Sequence, residues 1–343
     1  MSSLNRPALR GAAILFSTIV GAGVLGLPSV IARTGLLMGT AYICGVGLLL
    51  LVTHLALADI FEHTKGRLQM AGVVNKILGK KTASLMLVVF LLLHTGALTA
   101  YLIGEGQSLS LLFGGTSLAW TCIFFAIGAA IVYRGIKVVA SIDSVINALT
   151  IIVLVTFGMW GIAHGTHLPL LPQTDISVLL PLGVLLFAFH GTAAIAEVHE
   201  LTKHSHKSFL TAVVLGSTVP IIIYLLFVWG VVRLTGIATT EVATEGLGMV
   251  LGPAAAHIGN AFAALLMGAS FITIGLAVQR MYEWDFGLSH FTSWALAMIV
   301  PAFIFAIGAR EFVGIIATVG GICGSIELII IAATWWKLKW RHV

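Results

Sequence analysis

Apolar residues in this chain run in long blocks separated by short polar stretches, with neither the two-residue alternation of a half-buried strand nor the single apolar stripe of a surface helix. A helix that crosses the hydrocarbon of a bilayer needs roughly 20 largely apolar residues. Blocks of that length read as spans near 10–33, 36–60, 83–112, 117–133, 138–163, 177–198, 208–233, 255–281, 290–308 and 312–334. The stretch 68–80 is too short and too mixed to cross and reads as an interfacial helix or ordered loop, and 235–253 reads as a connection. The pattern predicts an all-α polytopic membrane protein with ten transmembrane helices and no room for a separate soluble domain.

Composition agrees. Of the 343 residues, 59% are hydrophobic and 9% charged, with a mean hydropathy of +1.08, which leaves too few charges to solvate a globular surface. Arg6 and Arg10 ahead of an apolar run imitate a signal peptide, but Gly21, Gly23, Gly26 and Pro28 interrupt that run and the next span follows at once. A retained first span is expected. Cys44, Cys122 and Cys323 all lie inside apolar segments without metal-ligand spacing and read as packing residues.

The formal net charge of +5 changes the picture through its distribution. The basic residues are dispersed among membrane loops, so the expected partner is the lipid bilayer and no nucleic acid. Positively charged loops stay on the cytoplasmic side. With the N-terminus inside, Arg6, Arg10, Lys65, Arg67, Lys76, Lys80, Lys81, Arg134, Lys137, Lys203, Lys207, Arg280, Lys337, Lys339 and Arg341 are cytoplasmic, and only Arg33, Arg233 and Arg310 of the 18 Lys and Arg fall outside. A missed or invented span would swap sides for everything after it, so the asymmetry supports ten spans, both termini cytoplasmic, in a plasma (inner) membrane.

Two spans carry breaks. Span one contains Ser17-Thr-Ile-Val-Gly21-Ala-Gly23-Val-Leu-Gly26-Leu-Pro28, residues that favour non-helical backbone, at mid-membrane depth. Span six contains Phe187-Ala-Phe189-His190-Gly191-Thr192. Unwound backbone exposes groups that lipid cannot satisfy, so protein, water or a ligand must supply partners. Ten spans divide into five and five, with residues 1–163 forming the first repeat and 164–343 the second. Five is odd, so the second repeat is inverted, and breaks at equivalent positions build a substrate site at the midplane. Glycines that only pack helices closely are the competing reading.

These segments resemble a known family. Thr18-Ile-Val-Gly-Ala-Gly-Val-Leu-Gly-Leu-Pro28 looks like the first-helix signature of the amino acid/auxin permease family. Phe187-Ala-Phe-His-Gly191 resembles that family's sixth-helix break, and Ala100-Tyr101-Leu-Ile-Gly104-Glu105 is similar to its tyrosine followed by a glycine-acid pair. The resemblance covers about residues 10–334 and implies the leucine-transporter-like fold of the amino acid-polyamine-organocation superfamily. It departs at the end, where Trp335-Trp-Lys-Leu-Lys-Trp-Arg341 stands in place of the eleventh span of many members, and at Glu327, where a small or apolar residue is usual. Carried over, it implies that the backbone of Gly21, Ala22 and Gly23 meets a substrate carboxylate. Carbonyls near Ser17, Thr18, Phe187 and Phe189 would meet its ammonium beside His190 and Gly191, and Tyr101 would close over it.

A carboxylate in a membrane helix core costs about 2.5 to 3.5 kcal/mol, so each one is a functional candidate. Asp59, Asp143 and Glu197 lie near cytoplasmic helix ends, where interfacial solvation or pairing accounts for them. Glu105 shares a helical face with Tyr101 and His94, at spacings of four and seven. Glu105, Glu327 and His190 are the candidates for proton coupling. For sodium, Ser270 and Thr273 could set hydroxyls beside the Ser17 and Val20 carbonyls. The coupling ion stays open between H+ and Na+, with H+ favoured. No Walker A loop, metal constellation or nucleophile elbow is present in the sequence, so neither enzyme chemistry nor a cofactor is expected. The resulting expectation is a secondary active permease for a small-molecule neutral L-amino acid. Its alternatives are a sodium-coupled carrier and a non-transporting amino-acid receptor of the same superfamily.

Overall fold

The computed structural model describes residues 6–64, 70–135, 139–172 and 179–340, with side chains except at 139–144, 249 and 285. Lys65, Arg67, Lys137, Arg341 and the side chain of Asp143 lie outside the described residues. Among the described residues the secondary structure is helical throughout. Eight helices are long and apolar enough to cross a membrane: Leu36–His63, Lys80–Phe113, Ser117–Arg134, Val145–His164, Leu179–Thr202, His206–Ala238, Pro253–Trp284 and Phe312–Trp340. A ninth span is the pair Arg6–Ile19 and Ala22–Thr34, bent by 48°, and the shorter apolar helix His290–Ala306 is the tenth. Spans are numbered here in chain order.

Gly35, at φ 87°, is the whole link between spans one and two, and a residue with a Cβ would be strained there. The chain enters span two with the N–H of Leu36 donating to the Pro169 carbonyl at 2.8 Å. The stretch read as interfacial contains the helix Met70–Leu78, which turns Val73, Val74 and Ile77 inward. The connection after span seven contains the helix Ala243–Leu251.

Leu48, Val52, Ile152, Ile222, Phe303 and Ile329 are exposed apolar residues within the spans, as a lipid-facing surface requires. Inside, spans five and seven meet backbone to backbone. A Cβ on Gly158 would lie 2.8 Å from the Leu226 carbonyl oxygen, and one on Gly230 would lie 2.5 Å from the Cα of Gly158. Small residues permit such approach where the hydrophobic effect cannot drive helices together.

Spans one and six cross at the centre in opposite senses. The first half of span one packs against the second half of span six, and the second half of span one against the first half of span six. This is the relation expected of equivalent helices in an inverted repeat. Span ten is also interrupted, by a π turn over Gly320–Gly324 that packs on Leu186 and Phe187 of span six. Extra-wide turns of this kind recur at functional sites.

Candidate functional site

In span one the α-helix stops at Ile19 and resumes as the 3-10 turn Ala22–Gly26 before Leu27–Thr34. In span six it stops at Ala188 and resumes as Thr192–Ala194 before Ile195–Thr202. A helix end leaves carbonyls without intrahelical partners. The hydroxyl of Tyr224, on span seven, lies 2.9 Å from the Ile19 carbonyl and 2.9 Å from the Ala188 carbonyl, so one donor serves the last residue before each break. The sequence reading passed over Tyr224, whose only signal is a hydroxyl inside the apolar run of span seven.

Gly21 has φ −101° and ψ −164°, Gly191 has φ −137° and ψ 6°, and neither break contains a residue at positive φ. Close approach is what demands glycine. A Cβ on Gly23 would lie 2.9 Å from the Phe187 ring and 3.2 Å from the Ala188 Cα, and a Cβ on Gly191 would lie 2.6 Å from Ile19. Each break leaves room for the other. Gly21 alone faces open space, with Ser270 Oγ at 3.5 Å from its ideal Cβ.

Between the breaks lies a cavity of about 650 Å³. Of the residues expected there, Ser17, Thr18, Val20, Gly21, Gly23, Tyr101, Phe187, His190, Ser270 and Thr273 line it. Ala22, Phe189 and Gly191 do not and are buried behind it, with the Phe189 ring 4.8 Å from that of Tyr224. His94, on the helical face of Tyr101, lines it as well, and unforeseen lining comes from Leu93 and Ala97 of span three, Asn147 of span five, and Leu266 and Ile274 of span eight. Tyr101 of span three and Ser270 of span eight both line the cavity.

The cavity extends toward the end of the bundle that carries Arg10 and Glu197, which also line it. Accordingly Arg10, Ala13 and Thr18 are exposed in the first half of span one, whereas every residue from Ala22 to Ala32 is buried. Asp59, near that same end, is paired with Lys339 Nζ at 2.8 Å and accepts a hydrogen bond from Trp335 Nε1 at 2.7 Å.

Glu105 and Glu327 part company. Glu105 is buried at 4% exposure away from the cavity, near Phe124 and Gly268, and its Oε2 has no hydrogen-bond partner. Glu327 follows the π turn and meets the span six break. Its Oε1 accepts from the Thr192 hydroxyl at 2.6 Å, and its Oε2 lies 2.7 Å from His190 Nε2. His94 stands edge-on to His190, with ring centroids 5.9 Å apart.

Comparison with known proteins agrees with this geometry. The family model described as the tryptophan/tyrosine permease family matches residues 5–341, and the chain belongs to that family. The motifs above resembled the amino acid/auxin permease family, so the family shown differs in name. A relative, glutamine transporter 2 of Aliivibrio fischeri, is 22% identical over 349 residues, covering 95% of this chain and 88% of its own. MhsT in complex with L-phenylalanine superposes with a TM-score of 0.70 at 15% identity, over 96% of this chain and 88% of that one. The inward-facing form of Mhp1 superposes with a TM-score of 0.67 at 14% identity, over 94% of this chain and 75% of that one. Mhp1 closed on bromovinylhydantoin, a nucleobase-cation-symport-1 family transporter, gives 0.65 at 13% identity, over 91% and 74%. These neighbours show the leucine-transporter-like fold, and the relatives are transporters rather than enzymes.

Proposed function

We propose that this permease carries a neutral L-amino acid by alternating access, with the substrate between the breaks of spans one and six and a proton as the coupling ion. The observation that carries the reading is the cavity itself, bounded by both breaks. Its volume falls within the range of about 300–1,000 Å³ common to small-molecule sites. An amino-acid zwitterion needs donors and acceptors close together. The N–H of Gly23, which lines the cavity at the start of the second half of span one, suits the carboxylate. Carbonyls freed near Ser17, Thr18 and Phe187 suit the ammonium. Leu93, Ala97, Tyr101, Phe187 and Leu266 offer an apolar wall to the side chain. The names attached to the family, to the relative and to the ligand of MhsT are all of neutral amino acids.

The two repeats, 1–163 and 164–343, are proposed to rock about this site. With both termini cytoplasmic in the plasma (inner) membrane, the cavity faces the cytoplasm and the structure is an inward-facing form. Sodium is the second reading, favoured by Ser17, Val20, Ser270 and Thr273 sharing the cavity wall.

The test is uptake by purified protein in proteoliposomes against a panel of labelled neutral amino acids. Exchange of at least one is expected. Exchange of none, from protein that reconstitutes, would refute the reading.

A further inference from the structure

The cavity is not the end of the polar structure around the span six break. Behind it lies a small void bordered by Leu50, Leu186, Thr192, Gly324, Glu327 and Leu328, and His190 borders both this void and the cavity. One imidazole therefore separates the substrate site from Glu327, a carboxylate only 6% exposed. We propose that Glu327 and His190 together are the proton carrier of this transporter, loaded from the cavity by way of His190 with His94 beside it. The proposal rests on the permease reading above and names the residues that would couple it.

Every polar contact of Glu327 in the structure goes to the break. Thr192 and His190 each hold one of its oxygens. Because these residues interrupt span six, the charge on Glu327 acts directly on the element that frames the substrate. His94 has its Nδ1 2.8 Å from the Phe90 carbonyl, which makes that nitrogen the donor and leaves Nε2 as an acceptor in the cavity wall. From span two, His54 has Nδ1 2.9 Å from Ser217 Oγ, while its buried Nε2 has no partner. Cys323, one turn before Glu327, is the remaining titratable group facing it. One acid thus sits among three imidazoles, from spans two, three and six, with no Lys or Arg among the described residues bonded to it.

The transfer balances through a single ring. Before loading, neutral His190 donates its Nε2–H to the Glu327 carboxylate. A proton from cavity water adds to Nδ1 while the Nε2 proton passes to Oε2. One O–H bond of a protonated cavity water and the Nε2–H bond break while the Nδ1–H and Oε2–H bonds form, so water is released, the imidazole ends neutral as its other tautomer and the carboxylate ends as the acid. The cluster changes from negative to neutral while Thr192 and His190 keep their hydrogen bonds. Unloading reverses each step.

A purely structural clamp would hold span ten to the break at any pH, so the pH profile separates the two roles. The experiment uses the full chain in proteoliposomes with a labelled neutral amino acid that wild type exchanges at equal pH. Absence of exchange bears on the permease reading alone. Given exchange, a gradient of one pH unit with the outside acidic is expected to drive accumulation up to about tenfold, the limit for one proton per substrate. Glu327→Gln is expected to bring accumulation down to onefold, with exchange that no longer varies with pH. Thr192→Val, which removes the hydroxyl that contacts both Glu327 Oε1 and His190 Nε2 but leaves the His190–Glu327 hydrogen bond, is expected to keep the pH dependence. Accumulation by Glu327→Gln at the wild-type level would overturn the proposal. Wild type gives a variant-free readout: substrate entry should carry protons that a trapped pH dye reports, and entry without them would equally overturn it.

Discussion

The side chain of Ile19 occupies the position a Cβ on Gly191 would need, at a separation of 2.6 Å, so the two breaks are packed through a glycine that cannot grow. The Phe187 ring stands in the same relation to Gly23 at 2.9 Å. Overpacking of this kind costs about 1 to 3 kcal/mol. Gly191→Ala and Gly23→Ala should therefore lower the unfolding temperature in detergent. Gly21→Ala, whose Cβ meets only Ser270 Oγ at 3.5 Å, should leave it in place and weaken ligand-induced stabilisation, because the methyl enters the cavity. An equal loss of stability in all three would contradict this division.

The spans were legible because a bilayer imposes its thickness on the sequence: 36–60 was read for Leu36–His63, and 290–308 for His290–Ala306. The span one break was legible as a cluster of glycine and proline and the span six break only as His190-Gly191 at the equivalent position of the second half, but the partner each glycine must admit was not, since close approach depends on a helix far away in sequence. The contact of Glu327 with His190 spans 137 residues, and the π turn at Gly320–Gly324 shifts the helical phase from which its direction would have been read. Glu105 shows a different failure. Spacing placed it on the face of His94 and Tyr101, but a helical face fixes direction and not depth, and only the other two reach the cavity.

Tyr224→Phe isolates one hydroxyl. The ring stays packed against Phe189, while the Ala188 carbonyl loses its donor at a depth where lipid offers none and the Ile19 carbonyl keeps the Gly21 N–H at 2.9 Å. A loss of about 1 to 3 kcal/mol is expected. It would be read as a lower midpoint in thermal unfolding, and an unchanged midpoint would show that the Ala188 carbonyl finds another partner.

Orientation can be tested by labelling from outside intact cells, in a background without Cys44, Cys122 and Cys323. Thr166 and Ile237 are exposed at one end of the bundle, where the His167 N–H donates to the Arg233 carbonyl at 3.0 Å. His204 is exposed in the loop between spans six and seven. Cysteine at 166 or 237 should react with an impermeant thiol reagent, and cysteine at 204 should not. Thr239 is unsuitable because it is 5% exposed and hydrogen-bonded to Thr235. Reaction at 204 would reverse the assigned topology.

Outside the spans, burial pushes the Glu245 carboxyl up to about 7, and the neighbouring Glu241 adds to the shift. The folded state therefore holds this proton more tightly than the unfolded chain does. The resulting stability is present in full below about 4.5 and is lost as pH rises through about 7. Glu245→Gln should remove that loss, so its unfolding temperature relative to wild type should rise between pH 5 and about 8. A difference that does not vary with pH would show that Glu245 titrates normally.

Glu105 is the remaining membrane carboxyl proposed for proton coupling, and its surroundings argue for a different outcome from Glu327. Its Oε1 lies near Gly268, Oε2 has no hydrogen-bond partner, and no part of the residue borders the cavity. A proton carrier must exchange with water on each side in turn, and a carboxyl shut behind span eight has no such contact in this form. An unpartnered buried carboxyl is also costly, and a neutral amide of the same shape costs less. Glu105→Gln should therefore keep or raise the unfolding temperature while pH-driven accumulation persists at the wild-type level. Loss of accumulation in Glu105→Gln, with Glu327→Gln behaving as wild type in the same vesicles, would move the carrier to span three and require a second form of the protein in which Glu105 reaches water.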